Sequence, residues 1–279
     1  MANVLITGCS SGFGLHTALL FARRGDRVFA TMRTPGKAAT LTQAIRDEGL
    51  PIVELALDVC DPGSVAAAME TALAVPGGLD VLVNNAGIEL RSSIEDADDE
   101  DVRCQFETNV FGALRLMRAV LPAMRARRGG AIVNVSSIAG LVSRPYGGLY
   151  AATKHALEAI SEALHYEVAP FGIRVVLVEP GQYGTQLLAN AFPGRRFTPE
   201  SPYWARSTVL DERLARLLPG GTSGDPMEVA EIIHAAVNAP EPRLRHLAGH
   251  DARMLATTYR QLAFEKYEQA VRRALDWWD

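Results

Sequence analysis

The sequence predicts an α/β fold: a doubly wound, seven-stranded parallel sheet with helices on both faces. Two observations predict it. Short β-branched runs alternate with longer helical stretches, and a glycine-rich turn joins the first strand to the first helix. Such alternation is typical of a parallel sheet covered on both faces, the Rossmann-type arrangement. Strands are predicted at residues 4–7, 27–31, 52–57, 81–84, 131–136, 174–179 and 244–247.

Helices are predicted in the intervals between these strands. The alanine-rich segment 15–24 ends at Gly25, a natural C-cap, and Asp61-Pro62 predicts an N-cap with proline in the first turn. The acidic residues between positions 95 and 101 indicate another helix start, where they complement the helix dipole.

A single domain is expected over residues 1–279, because no repeat, linker or shift in composition marks a boundary. Residues 182–226 break the alternation with prolines, glycines and aromatic side chains, which predicts a lid over the substrate. A helical extension is expected at about 252–279, with its apolar stripe in the core or at a subunit contact. The stripe consists of Phe264, Tyr267, Val271, Ala274 and Trp278.

The composition excludes several classes of function. A formal net charge of −4 gives no general electrostatic case for binding nucleic acid or an acidic membrane surface. Cys9, Cys60 and Cys104 are too few and too scattered for a disulfide framework or a zinc site, so no metal is expected. With no signal peptide and no apolar run of bilayer length, the expected location is cytoplasmic.

Tyr150 and Lys154 are the pair of residues most indicative of chemistry. At i,i+4 spacing on a helix, the phenol and the ammonium share one face, so the lysine can favour the phenolate. Ser137 lies thirteen residues before Tyr150, at the end of a predicted buried strand. A tyrosine in this setting can exchange a proton with a carbonyl oxygen.

Two further motifs end predicted strands. Gly8, Gly12 and Gly14 would let backbone N–H groups approach a pyrophosphate at a helix N-terminus, although a plain strand-to-helix turn explains them equally well. Asn84-Asn85-Ala86-Gly87 follows the fourth strand, where doubly wound sheets bind ligands; alone it would be a polar turn.

In this order, the glycine turn, the Asn-Asn-Ala-Gly segment, Ser137 and the Tyr150/Lys154 pair resemble the short-chain dehydrogenase/reductase family over residues 3–251. Several segments are similar to the 17β-hydroxysteroid and retinol dehydrogenases of that family. The resemblance implies that Tyr150 is the acid/base and that Ser137 binds the reacting oxygen. Lys154 would bind the nicotinamide ribose and lower the tyrosine pKa, while Asn109 would hold a water that relays protons to the lysine.

The same resemblance implies a bound nicotinamide cofactor. Its expected contacts are Gly8, Ser10, Ser11, Gly12, Phe13, Gly14, Arg33, Asp58, Val59, Asn85, Ala86, Gly87, Tyr150, Lys154, Pro180, Gly181 and Thr185. No acidic residue ends the second strand, whereas Arg33 and Ser11 suit a 2′-phosphate, so NADP(H) is favoured over NAD(H). The alternative for Arg33 is an ordinary solvated loop arginine.

The substrate pocket is expected between residues 88–90, residues 141–149 and the lid. The lid carries Tyr183, Leu187, Leu188, Phe192, Phe197, Tyr203 and Trp204. They suit a bulky apolar ketone or alcohol, such as a steroid, retinoid, aromatic or polyketide-like compound, unless they only pack the lid onto the body. Arg144 is the one charge expected near the mouth and is interpreted as a surface arginine.

The leading hypothesis is therefore an NADP(H)-dependent oxidoreductase that transfers a hydride between nicotinamide and a bulky ketone or secondary alcohol, with Tyr150 transferring the proton. A homodimer or homotetramer is expected from the family. An epimerase or dehydratase is the first alternative, but the glycine spacing and the lack of a sugar-nucleotide domain disfavour it. A non-catalytic NADP(H)-binding regulator is the second, and the presence of Ser137, Tyr150 and Lys154 argues against it.

Overall fold

Seven parallel strands form the central sheet of the computed structural model, which describes residues 1–185, 191–216 and 224–276. The strands are β1 (Asn3–Thr7), β2 (Arg27–Met32), β3 (Ile52–Ala56), β4 (Val81–Asn84), β6 (Gly130–Val135), β7 (Ile173–Pro180) and β9 (Arg245–Ala248). Their order is β3-β2-β1-β4-β6-β7-β9, and every pairing is parallel. The predicted fold class is confirmed, and each predicted strand is correct to within one residue at either end.

The strand order reverses between β1 and β4, which opens a crevice at their carboxyl ends. The chain moves outward from β1 to β3 and then returns to the other side of β1. Outside this sheet, β5 (Leu90–Arg91) pairs with β8 (Phe192–Pro193) and so attaches part of the predicted lid to the segment after β4.

Helices cover both faces of the sheet. They are α1 (Gly12–Arg23), α2 (Ala39–Glu48), α3 (Pro62–Leu73), α4 (Asp99–Phe106), α5 (Ala113–Arg127), α6 (Gly148–Val168), α7 (Trp204–Arg216), α8 (Pro226–Asn238), α9 (His250–Gln261) and α10 (Phe264–Leu275). A π-helical segment, Glu107–Gly112, joins α4 to α5, and 3-10 turns occupy Ile138–Gly140 and Ala169–Phe171. Among the described residues, none of the helices is long and apolar enough to span a membrane.

Two apolar cores lie on opposite faces of the sheet, because successive strand side chains point to opposite sides. In β1, Val4 and Ile6 join the core beneath α1 and α8, whereas Leu5 joins the core beneath α3, α5 and α6. All three side chains are fully buried. Because both faces of the sheet are buried, the strand sequences are apolar at nearly every position.

The predicted helix starts are confirmed by their capping bonds. Asp61 Oδ1 accepts a hydrogen bond from the Gly63 N–H at 2.8 Å, with Pro62 at the first helical position. Asp98 likewise accepts from the Asp101 N–H at 2.8 Å at the start of acid-rich α4.

The predicted C-terminal stripe is only partly correct. Tyr267 is buried and contacts Tyr259 edge to face, but Phe264 is 65% exposed and Ala274 is also exposed. Leu275 is buried instead. Helical spacing alone did not reveal which face α10 turns toward α7 and α9; Trp278 lies outside the described residues.

Candidate active site

The turn between β1 and α1 is held by close backbone packing. Gly8 has a φ of +72°, a conformation that favours glycine. A Cβ atom on Gly14 would lie 2.3 Å from the Gly8 carbonyl oxygen, so only glycine lets α1 approach the turn this closely. Asn85 secures the turn from β4, since its Nδ2 donates to the carbonyl oxygens of Thr7 at 2.8 Å and Gly8 at 3.2 Å. Ala86 N donates to the Thr7 hydroxyl at 2.9 Å.

A pocket of about 590 Å³ opens at the N-terminus of α1. It brings together four of the predicted cofactor residues, Ser10, Ser11, Gly12 and Thr185. The Ser11 side chain makes no capping bond to described residues, so its hydroxyl is available to a ligand. Thr185 lies over Gly12, where an added Cβ would be 3.3 Å from the threonine Cβ. Hydroxyls and helix N–H groups in one pocket suit a phosphate.

The sequence argument missed three polar residues that line this pocket, His16, Lys37 and Thr40. Lys37 lies four residues after Arg33, in the same exposed loop after β2, and this spacing was the signal available in the sequence. Arg33 is exposed, does not line the pocket and makes no hydrogen bond or ion pair to the described residues. Both cations are therefore free to meet an anion beside the pocket.

Tyr150, Lys154 and Ser137 converge at the carboxyl end of β6. Tyr150 and Lys154 are buried on one face of α6, with the lysine Nζ 5.6 Å from the centre of the phenol ring. Lys154 Nζ donates to the Val135 carbonyl oxygen at 2.8 Å, which leaves ammonium hydrogens for other partners. Ser137 caps the 3-10 turn by accepting from the Ala139 N–H at 3.1 Å, and its hydroxyl acts to lower the pKa of the Tyr150 phenol.

The expectation of a lowered tyrosine pKa is wrong for the chain by itself. Burial raises the pKa of the Tyr150 phenol above its ordinary value, and the charge of Glu89 raises it further. The hydrogen bond with Ser137 and the charge of Arg144 act in the opposite direction. Burial also lowers the pKa of Lys154 to about 8, against the raising effects of Glu158 and Glu89. The phenol is therefore a protonated group at neutral pH, ready to donate.

Asn109 lies in the π-helical segment and uses its amide to attach that segment to its neighbours. Its Oδ1 accepts from Ile88 N at 2.9 Å, and its Nδ2 donates to Ile88 O at 2.9 Å and Thr153 Oγ1 at 3.1 Å. A Cβ on Gly87 would lie 3.3 Å from Asn109 Oδ1 and 3.9 Å from Lys154 Nζ. Asn109 and Lys154 therefore both lie beside Gly87.

The remaining predicted cofactor residues lie at or just after the carboxyl ends of strands or at the start of α1, and they have varied local roles. Asp58 Oδ1 accepts from Cys60 N at 2.9 Å, and Val59 packs against Gly112. Gly181 N donates to Ala248 O at 2.9 Å. Pro180 O faces the Ser137 hydroxyl at 3.5 Å. Phe13 meets Tyr183 edge to face, with 5.4 Å between ring centres.

Glu89 and Arg144 form an ion pair beside Tyr150, with Arg144 Nη2 2.8 Å from Glu89 Oε1. Arg144 is therefore not a solitary surface arginine, and it is not the one charge near the tyrosine. Residues 88–90 were predicted to form a wall of the substrate pocket, but Glu89 was not recognised there as a buried charge. Its burial depends on a partner 55 residues away in the sequence.

Several lid side chains pack onto the body rather than line an open wall. Tyr183 is buried and donates to Glu228 Oε2 at 2.8 Å, and Phe197 is buried between Tyr146 and Trp204. For these residues the packing alternative is correct. Leu187 and Leu188 lie outside the described residues.

Across residues 1–185, 191–216 and 224–276, no cluster of three or more His, Cys, Asp or Glu is arranged to hold a metal.

Comparisons with known proteins agree with this geometry. A family model described as short chain dehydrogenase matches residues 2–196. Human retinol dehydrogenase 8 is 39% identical over 255 residues, covering 87% of this chain and 80% of that protein. Human 17-beta-hydroxysteroid dehydrogenase type 1 is 34% identical over 259 residues, covering 87% and 76%.

Solved structures show the same fold. A short-chain dehydrogenase from Streptomyces avermitilis superposes with a TM-score of 0.83 at 35% identity, covering 99% of this chain and 98% of that chain. The structure of ElxO with NADP bound superposes with a TM-score of 0.73 at 30% identity, covering 88% and 96%.

Proposed function

Because the chain belongs to the short-chain dehydrogenase family, we propose that it is an NADP(H)-dependent oxidoreductase that interconverts a ketone and a secondary alcohol. The observation that carries the proposal is the convergence of Ser137, Tyr150 and Lys154 beside a pocket at the N-terminus of α1. The relatives named for retinol and 17-beta-hydroxysteroid support a bulky apolar substrate.

The residues at the pocket fit a phosphorylated dinucleotide. Ser11 and the first N–H groups of α1 suit a pyrophosphate, and the free cations of Arg33 and Lys37 suit a 2′-phosphate. The exposed loop after β2, residues 33–37, carries no carboxylate that would repel this phosphate. ElxO, with NADP bound, has the same fold.

In the proposed reaction, Ser137 and Tyr150 hydrogen-bond the carbonyl oxygen of the substrate. NADPH, when bound, supplies the hydride that attacks the carbonyl carbon. Tyr150 transfers its phenolic proton to the oxygen as the alcohol forms, and its raised pKa keeps that proton available at neutral pH. The buried Lys154 ammonium stabilises the resulting phenolate.

The test is NADPH consumption with a panel of bulky ketones. Tyr150→Phe removes the only proton donor of the proposed step and should lower kcat by about 10²–10⁴-fold. NADPH affinity, measured by fluorescence titration, should stay nearly unchanged. Tyr166→Phe, on the exposed face of the same helix, is the matched control and should retain full activity.

A Tyr150→Phe variant that binds NADPH and turns over like the wild type would refute the acid role. An intact chain that binds NADPH but reduces no ketone and oxidises no alcohol would refute the proposed reaction itself.

A further inference from the structure

Glu89 is a buried carboxylate with no part in the proposed proton transfer. Its side chain is only 7% exposed. The segment that carries it lies beside Lys154, since an added Cβ on Gly87 would be 3.9 Å from Lys154 Nζ, and the negative charge of Glu89 acts on both Tyr150 and Lys154. Burying a carboxylate carries a large desolvation cost unless partners compensate it.

The backbone on either side of Glu89 is clamped by two buried amides. Asn109 Oδ1 accepts from Ile88 N at 2.9 Å, and Gln105 Nε2 donates to Ile88 O at 2.8 Å. Gln105 Oε1 accepts from Leu90 N at 2.6 Å. The Glu89 carbonyl oxygen accepts from Phe192 N at 3.1 Å. The position of this carboxylate is therefore built into the fold.

Arg144 approaches Glu89 from the loop before α6. Its stem packs on Gly147, where an added Cβ would lie 3.1 Å from Arg144 Cγ. Nη2 of Arg144 is 2.8 Å from Glu89 Oε1, and Nη1 is 4.0 Å from Asp211 Oδ1 on α7. The second oxygen of Glu89 has no hydrogen-bond partner among the described residues.

We propose that the Glu89/Arg144 pair is a polar subsite for the substrate, in which Glu89 accepts a hydrogen bond from a hydroxyl or ammonium group on the carbon next to the reacting carbonyl. This inference rests on the proposed function, because that function places the carbonyl oxygen at Ser137 and Tyr150. The substrate class is then an α-hydroxy or α-amino ketone, or the corresponding alcohol, with an apolar remainder.

The physical basis is the cost of leaving the free Glu89 oxygen unpaired once a substrate covers it. A ketone without an adjacent donor displaces water from Glu89 and does not replace the hydrogen bond that the water made. Sites with buried polar groups reject such analogues more strongly than apolar pockets reject a missing methylene. We expect discrimination of about ten-fold or more in kcat/KM.

The experiment compares four aryl ketones with NADPH: the parent methyl ketone and its α-hydroxy, α-amino and α-methoxy derivatives. The methoxy compound withdraws electrons like the hydroxy compound but has no hydrogen to donate, so it corrects for intrinsic reactivity. In the wild type, kcat/KM for the hydroxy and amino ketones should exceed that for the methoxy ketone about ten-fold or more.

Glu89→Gln keeps an acceptor for Arg144 and for a hydroxyl but removes the charge. This variant should lose most of the kcat/KM preference for the α-amino over the α-methoxy ketone. It should keep part of the preference for the α-hydroxy over the α-methoxy ketone. Asp211→Asn is the matched control, because it alters the other carboxylate near Arg144 and should leave both ratios unchanged. A purely structural ion pair would change folding stability without changing these ratios.

Equal kcat/KM for the hydroxy and methoxy ketones in the wild type would overturn the subsite, and this arm needs no variant. The same amino-to-methoxy ratio in wild type and Glu89→Gln would also overturn it. In both cases reduction itself still occurs, so the proposed function stands. A protein that binds NADPH and reduces none of the four ketones contradicts the proposed function together with the subsite.

Discussion

At the scale of single residues, the environment of Tyr150 decides which way its chemistry runs. Sequence spacing suggests an activated phenolate, but burial and Glu89 hold the proton on the phenol. A protonated phenol serves carbonyl reduction, whereas alcohol oxidation needs the phenolate. At neutral pH the chain by itself therefore holds Tyr150 in the form that can donate a proton.

The preference for NADPH over NADH is also expected to depend on single side chains. Arg33→Ala should weaken NADPH binding about 10–100-fold and leave NADH binding nearly unchanged, because a charge-assisted bond to the 2′-phosphate is lost. Lys37→Ala should act in the same direction, since Lys37 lines the pocket. Titration of both cofactors by fluorescence measures the effect. Arg46→Ala, an exposed arginine on α2, is the control, and equal losses for NADPH and NADH would contradict the assignment.

At the scale of elements, the π-helical segment between α4 and α5 orients the site. Its wider turn directs Asn109 toward Ile88 and Thr153, and Thr153 Oγ1 in turn donates to the Tyr150 carbonyl oxygen at 2.7 Å. The segment after β4 and the catalytic helix α6 are thereby tied to one amide side chain.

Asn109→Ala should lower the free energy of unfolding by about 2–4 kcal/mol, because three side-chain hydrogen bonds are removed from buried groups. Urea denaturation followed by circular dichroism gives the value. Thr108→Ala in the same segment should cost roughly 1 kcal/mol or less, since its hydroxyl makes an exposed bond to Cys104 O and a weak contact with Cys60 Sγ. Similar losses in the two variants would show that Asn109 does not fasten the segment.

Elements whose signals are local could be predicted from the sequence. The strands follow from apolar runs, and the start of α3 follows from Asp61-Pro62. The glycines at positions 8, 12 and 14 similarly predicted the tight turn between β1 and α1. By contrast, the burial of Glu89 depends on Arg144, and the exposure of Phe264 depends on how α10 meets its neighbours. Neither has a local signal, because both are set by contacts between distant segments.

At the scale of the whole molecule, Arg245 joins the last strand of the sheet to the catalytic helix. Its guanidinium pairs with Glu158 and Glu162 on α6 and with Glu179 on β7. Glu158 lies four residues after Lys154 and is buried, and burial raises its pKa from 4.5 to about 7. The folded protein thus binds this proton more tightly than the unfolded chain does.

The stability that Glu158 contributes is complete below pH 4.5 and is lost as the pH rises to about 7. Relative to Glu158→Gln, the wild type should therefore lose roughly 1–3 kcal/mol of unfolding free energy between pH 4.5 and pH 8. Urea denaturation across this range measures the difference. Glu162→Gln changes the exposed ion-pair partner of the same arginine, Arg245, and should show no such trend. A constant difference between wild type and Glu158→Gln would contradict the raised pKa.

The central place of β1 has a consequence for biosynthesis. This strand leaves the ribosome before every other strand, yet one of its two neighbours, β4, begins only at Val81. Until then the nascent chain carries the apolar side chains of Val4, Leu5 and Ile6 on a strand with one open edge. Such edges recruit other strands when they are exposed. Until residues 81–84 have been synthesised, β1 therefore keeps an edge to which a wrong strand can pair.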